Sequence, residues 1–171
     1  MRRQLILGAL ALALTAACGE PPDNGSGAAT TLRGDRPAEA TLHQPVRDGN
    51  FEFTVTNVSC GLPAIGSSPV LRRARGQFCL ISMRIRNIGD EPRPFDASLQ
   101  KVVSAAGQEY PADVGASRYA VPSSAGETPR TEINPGSTLN ADVAFDVPKG
   151  PAPVRAELHD SPSSRGVTVR L

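Results

Sequence analysis

Tryptophan is absent from this 171-residue chain, and aromatic residues make up only 4% of it. A core made here cannot lean on large rings, so it must be aliphatic and it gains from a covalent staple. Histidine is scarce as well, with His43 and His159 the whole supply. Beyond the initiator the one methionine is Met83. The clustered His, Cys and Met donors of a copper or zinc centre are therefore missing, and no metal or other cofactor is expected. Neither sign of charge is in excess: 18 basic residues face 17 acidic ones. That balance excludes the basic stripe of a nucleic-acid binder. Lysine is rare too, two against 16 arginines, in a chain rich in alanine, glycine and proline, which is the imprint of a GC-rich genome. No apolar run reaches the roughly 20 residues that a membrane-crossing helix needs.

What is present starts at the N-terminus. Arg2 and Arg3 precede the apolar run from Leu5 to Leu14, which ends in Thr15-Ala16-Ala17-Cys18. A short basic start, an apolar stretch and small residues before a cut site form a secretory signal peptide over residues 1–17. The cysteine directly after two alanines resembles the lipobox of bacterial lipoproteins. That resemblance implies that Cys18 becomes the mature N-terminus and carries acyl chains, palmitate among them, through a thioether-linked diacylglycerol. It places the chain on the outer face of the cell membrane. Two acyl chains suffice for stable attachment, at about 0.8 kcal/mol per buried methylene. A plain signal peptide is the alternative. Removing residues 1–17 takes two arginines away and leaves 16 basic against 17 acidic residues.

With Cys18 assigned to the lipid, Cys60 and Cys79 remain as a pair in an oxidising compartment. Their wide spacing, without a nearby histidine, argues against a zinc site or a redox pair. A disulfide closing a loop of that size contributes about 3 kcal/mol in the chain-entropy model.

Residues 18–45 are rich in Gly, Pro, Ala, Thr, Asp and Asn without a sustained apolar period. Such a segment is expected to be a flexible tether. The folded domain is expected over 46–171. Phe51, Phe53 and Val55 alternate with polar residues, as do Cys79, Ile81, Met83 and Ile85, and Leu139, Ala141, Val143, Phe145 and Val147. Residues 154–158 and 167–171 repeat the pattern. This is the two-residue period of half-buried strands. Turn signals separate them at Asn87-Ile88-Gly89-Asp90, Ala106-Gly107, Asn134-Pro135-Gly136 and Pro148-Lys149-Gly150. An all-β antiparallel sandwich follows, with one core and a C-terminus pinned into a sheet.

Several phrases in order sharpen this. Asp48-Gly49-Asn50-Phe51-Glu52-Phe53-Thr54-Val55 and Cys60-Gly61 are followed by Gly76-Gln77-Phe78-Cys79 and Ile85-Arg86-Asn87-Ile88-Gly89-Asp90-Glu91-Pro92. Phe95-Asp96-Ala97-Ser98, Ile133-Asn134-Pro135-Gly136 and Phe145-Asp146-Val147-Pro148 complete the set. Together they resemble a domain-of-unknown-function family of telokin-like, immunoglobulin-like sandwiches, frequent in lipoproteins and secreted proteins of high-GC Gram-positive bacteria. The resemblance implies an immunoglobulin-like sandwich in which Cys60 and Cys79 match a cysteine pair seen in members. It implies no catalytic residue.

Candidate chemistry is sparse. His159-Asp160-Ser161 holds the residue types of a hydrolytic triad, but adjacent side chains rarely converge, and no Gly-x-Ser-x-Gly elbow accompanies them. A surface turn is expected there. Met83 falls on an apolar strand face and reads as core. Asp90, Glu91 and Asp96 lack the spacing of a calcium loop. Asn57-Val58-Ser59 matches a glycosylation sequon by chance. The stretch between the cysteines is more informative: an apolar Gly61–Gly66 segment and the basic Arg72, Arg73 and Arg75. A loop held at both ends is pre-organised for binding, and an arginine cluster suits phosphate, carboxylate or an anionic polymer. An envelope protein or polymer is the expected partner, with a solvated charge run as the alternative. The expected function is a non-catalytic envelope interaction module, with a small-molecule or lipid carrier as the alternative.

Overall fold

The structure, a computed structural model, describes residues 39–120 and 130–171. The signal peptide, Cys18 and most of the expected tether lie outside the described residues.

The first strand, β1 (Ala40–Thr41), lies upstream of the alternation that begins at Val46. It pairs in parallel with the last strand, β11 (Val167–Arg170), through Ala40↔Val169 and Thr41↔Arg170. The folded chain thus extends beyond the expected start at residue 46, into the expected tether. Two residues are too few to show a period, and their partner lies at the far end of the sequence.

Strand β2 (Val46–Asp48) turns through Gly49 into β3 (Phe51–Ser67), which pairs along its length with β4 (Val70–Asn87). The turn needs a glycine: the backbone φ at Gly49 is +56°, and a Cβ there would run into the Asp160 carboxylate. β4 is flanked on its other side by β9 (Thr138–Val147), giving a four-stranded sheet ordered β2-β3-β4-β9. Phe51, Phe53 and Val55 face inward opposite Ile85 and Met83. The register slips between Val55 and Asn57, so that Val58 rather than Asn57 meets the inward-facing Ile81. The Thr56 hydroxyl ties this bulge to the Ser82 carbonyl at 3.1 Å.

A five-stranded sheet covers the other side of the core. Its order is β1-β11-β10-β6-β7, where β6 is Lys101–Val103, β7 Glu109–Pro111 and β10 Arg155–Leu158. The β6–β7 hairpin turns at Ala105-Ala106-Gly107, as the sequence suggests. Val102, Ala156, Leu158 and Val169 from this sheet meet Phe51, Phe53, Ile81 and Phe145 from the other. A ribbon of β5 (Arg93–Asp96) and β8 (Arg130–Ile133) adds Phe95 and Ile133 to the same core. The architecture is an all-β immunoglobulin-like sandwich. Among the described residues the only α-helix is the single turn α1 (Val114–Ser117). Five phenylalanines stand in for the missing tryptophan, and all are at most 2% exposed. Phe51 and Phe53 meet edge to face at 5.9 Å.

Candidate functional site

The cysteines join β3 to β4 within one sheet: Cys60 and Cys79 are disulfide-bonded with Cα atoms 4.0 Å apart. Between them the chain is not a loop. Strands β3 and β4 continue past the disulfide as a hairpin arm, pairing Ala64↔Arg73, Ile65↔Arg72, Gly66↔Leu71 and Ser67↔Val70. Residues 61–66, though rich in glycine and alanine, form a strand because 70–74 supply the facing backbone groups.

The arm leans on the sandwich. Ile65 and Phe78 are buried with Ala116 of α1 and Ala144 of β9 in a second, small apolar cluster. The helix turn is held to β9 in its turn. The Asp113 N–H donates to the Ala144 carbonyl at 2.8 Å, and the Ala144 N–H donates to Ser117 Oγ at 2.9 Å. These bonds also cover the open edge of β9. Asp113 caps α1 by accepting from the Ala116 N–H at 2.8 Å.

The three candidate arginines do not act as one cluster. Arg72, paired with Ile65, faces the body and places Nη2 3.4 Å from Asp113 Oδ1. Arg75 lies at an irregularity, where four residues of β4 oppose one of β3 between Leu62↔Phe78 and Ala64↔Arg73. Asp146 of β9 holds it in place. Its carboxylate accepts from the Arg75 N–H at 2.9 Å, the Gly76 N–H at 3.1 Å and Arg75 Nε at 3.3 Å. Burial alone would raise the Asp146 pKa, but the two backbone N–H groups and the guanidinium outweigh it, and the carboxyl titrates below its ordinary range. Gly76 must be glycine, because a Cβ would collide with the Val147 carbonyl. Arg73 alternates to the opposite face from Arg72, and among the described residues no carboxylate lies within ion-pairing distance of it. Strand alternation and these contacts therefore break up the expected basic triad. Arg72 and Arg75 each sit beside a carboxylate, the latter with its side chain still 93% exposed, and among the described residues Arg73 has no carboxylate partner.

A second feature lies beside the sandwich. A cleft of about 560 Å³ is walled by Arg47, Asp48, Glu157, His159, Arg165 and Thr168. Asp48, in its wall, is cross-braced to Asp160 behind it. The Asp160 N–H donates to Asp48 Oδ2 at 2.7 Å, Asp48 Oδ1 accepts from the Gly166 N–H at 3.2 Å, and Asp160 Oδ2 accepts from the Asn50 N–H at 3.1 Å. Arg93 Nε lies 3.5 Å from the remaining Asp160 oxygen. His159, Asp160 and Ser161 do not converge. The nearest hydroxyl to His159 Nδ1 is that of Ser164, 3.4 Å away, and it donates to the Ser161 carbonyl at 3.0 Å. This is a turn, not a nucleophile with its base.

A model of the family described as Domain of unknown function (DUF4352) matches residues 40–168. The chain belongs to the DUF4352 family. No curated protein is detectably similar to it. Among solved structures it is similar to a secreted protein of Mycobacterium tuberculosis, MPT63, at 16% identity and a TM-score of 0.57, over 79% of this chain and 98% of that one. It is also similar to the yjhA protein of Bacillus subtilis, at 12% identity and a TM-score of 0.55, over 77% of this chain and 98% of that one. A functionally unknown protein from Listeria monocytogenes matches at 11% identity and a TM-score of 0.54, over 78% and 83% of the two chains. At these identities the likeness is one of fold. The family match begins at residue 40, where β1 begins.

In this DUF4352 domain the polar residues that organise the arm and cleft are ones sequence reasoning passed over. Asp113, the cap of α1, and Asp146 on β9 pair with the arginines from far along the chain, and nothing local marks them. Asp48 had a signal, standing just before Gly49 at a strand end where side-chain capping is common. Asn87, fully buried, was legible only as a turn. Its Nδ2 donates to the carbonyls of Glu91 and Ile133 at 2.7 and 2.8 Å, which fixes the turn to β8.

Proposed function

We propose that this DUF4352 chain is a lipid-anchored, extracytoplasmic binding module of the cell envelope that performs no catalysis, in a bacterium of high-GC Gram-positive type. One observation carries the binding role: the domain extends a two-stranded arm past its disulfide, stapled at the base, braced on α1 and bare at the end. A pre-organised arm loses little conformational entropy when it meets a partner. The export signal, the lipobox-like Thr15-Ala16-Ala17-Cys18 and a cysteine pair suited to an oxidising compartment support the location. The partner is an anionic component of the envelope, approached from the outer face of the membrane, on which Cys18 holds the chain.

The test joins fractionation with capture. The native chain is expected in the membrane fraction, and Cys18→Ala is expected to be released from it. Crosslinking in cells followed by affinity capture is expected to recover an envelope component, lipid or protein, in a yield that Arg73→Glu reduces. A soluble native chain would remove the anchor, and undiminished capture by Arg73→Glu would remove the arm.

The cleft supports a second reading, a small-molecule carrier. Its walls are polar, with Arg47 and Arg165 on one side of the charge balance and Asp48 and Glu157 on the other, so the cargo would be a small polar molecule rather than a lipid. Mass spectrometry of a solvent extract of the purified chain separates the two readings. A stoichiometric small molecule favours the carrier.

A further inference from the structure

Four large apolar side chains are notably exposed among the described residues: Val70, Leu71, Ile88 and Tyr119. Three of them lie at the end of the arm, Val70 and Leu71 on its strand and Tyr119 beside Gly66. Leu71 is the strand partner of Gly66, Val70 is next to it, and the Tyr119 Cβ lies 3.3 Å from the point where a Gly66 Cβ would sit. Ile88 is at the other end of β4, roughly 50 Å away at the rise of an extended strand.

The tip combines these side chains with positive charge. Leu71 and Arg73 are two residues apart on β4 and share the face turned away from α1, and the exposed Arg118 immediately precedes Tyr119. The carboxylates that meet the arm, Asp113 and Asp146, are occupied by Arg72 and Arg75. Among the described residues, none lies within ion-pairing distance of Arg73 or Arg118. Among the described residues, the tip is thus an apolar point flanked by two arginines without a carboxylate partner.

We propose that this tip is a membrane contact: Val70, Leu71 and Tyr119 enter the interfacial layer of an anionic bilayer while Arg73 and Arg118 engage lipid phosphates. The inference deepens the anchored reading above and rests on it, since an anchored chain keeps the domain within a tether's reach of a bilayer. Area favours lipid over a protein partner. Val70, Leu71 and Tyr119 are 42%, 47% and 40% exposed. Less than half of each of three side chains falls far short of the roughly 800 Å² per partner that a stable protein interface covers. A bilayer needs no matched surface, only a few apolar groups and cations facing anionic headgroups. Tyrosine suits that depth, with its ring in the acyl boundary and its hydroxyl among the headgroups. Arginine suits it too, because its planar fork binds phosphate bidentately.

The absence of tryptophan makes the tip directly observable. Leu71→Trp and Ile88→Trp each place a single reporter at an exposed site, so neither disturbs the core. The full lipidated chain bearing either substitution is reconstituted into vesicles of phosphatidylglycerol or of phosphatidylcholine. Emission from Leu71→Trp is expected to shift to the blue and to be quenched by brominated acyl chains in phosphatidylglycerol, while Ile88→Trp keeps its solution spectrum. Adding Arg73→Gln to the first variant is expected to cut the inserted fraction roughly fivefold, the effect of about one interfacial charge. A solution-like spectrum at residue 71 in vesicle-bound protein would overturn the tip contact and leave the anchor standing. An equal shift at residues 71 and 88 would also overturn it. Failure of the chain to associate with either vesicle would instead overturn the anchor.

Discussion

The two halves of the β3–β4 ladder are held by different forces. Below the disulfide, Phe51, Phe53, Val55, Ile81, Met83 and Ile85 are sealed against the second sheet, and burial does the work. Above it, only Ile65 and Phe78 are buried, against a single helical turn. There the strands are kept in place by a disulfide, by Asp146 on an irregular stretch of β4, and by Arg72 reaching Asp113. One continuous hairpin is thus a core element at one end and a projecting arm at the other. A chain poor in aromatic residues can project such an arm when directional contacts substitute for a core.

Substitutions that damage one part and spare the other would sharpen that contrast. Phe145→Ala should be the most damaging. Its ring is fully buried between the sheets, and truncation is expected to cost about 3–5 kcal/mol, lowering the midpoint of chemical denaturation for the whole domain. Reducing the Cys60–Cys79 disulfide should come next, at about 3 kcal/mol in the chain-entropy model. Hydrogen exchange should locate the loosening in residues 61–77. Exchange that instead rises evenly through both sheets would mean that arm and body are one cooperative unit.

Asp146→Asn should be milder, about 1–3 kcal/mol, because it removes the charged acceptor of two backbone N–H groups. It should also change the pH response. The folded Asp146 carboxyl has a lowered pKa, so its contribution is fully present above the ordinary carboxylate range and fades as pH falls through the folded value. Thermal melts between pH 7 and pH 2 should show part of the acid sensitivity disappearing in Asp146→Asn. Arg72→Gln should do least, within about 1 kcal/mol, since half-exposed ion pairs are screened by solvent. Its visible effect should be faster exchange at the arm alone.

Much of the body was legible, because alternation reports burial wherever one strand face meets a core. Phe51–Val55, Cys79–Ile85, Leu139–Val147 and the C-terminal strand all follow that rule. The arm reads as a loop in the sequence because Gly61, Pro63 and Gly66 are weak strand formers. Only long-range pairing with 70–74 makes a strand of them. The basic stretch reads as one patch because sequence proximity hides the two-residue alternation that sends Arg72 and Arg73 to opposite faces. Tyr119 carried no signal at all: it reaches the tip from α1, more than 40 residues away from Leu71 in the chain.

The account stands on the claim that the arm, rather than the sandwich, meets the partner. Site-specific photo-crosslinking in living cells tests this most directly, with the reactive group placed at residue 71 in one strain and residue 88 in another. The account predicts a defined envelope adduct from residue 71 and none of that identity from residue 88. The same adduct from both positions, or from residue 88 alone, would contradict it.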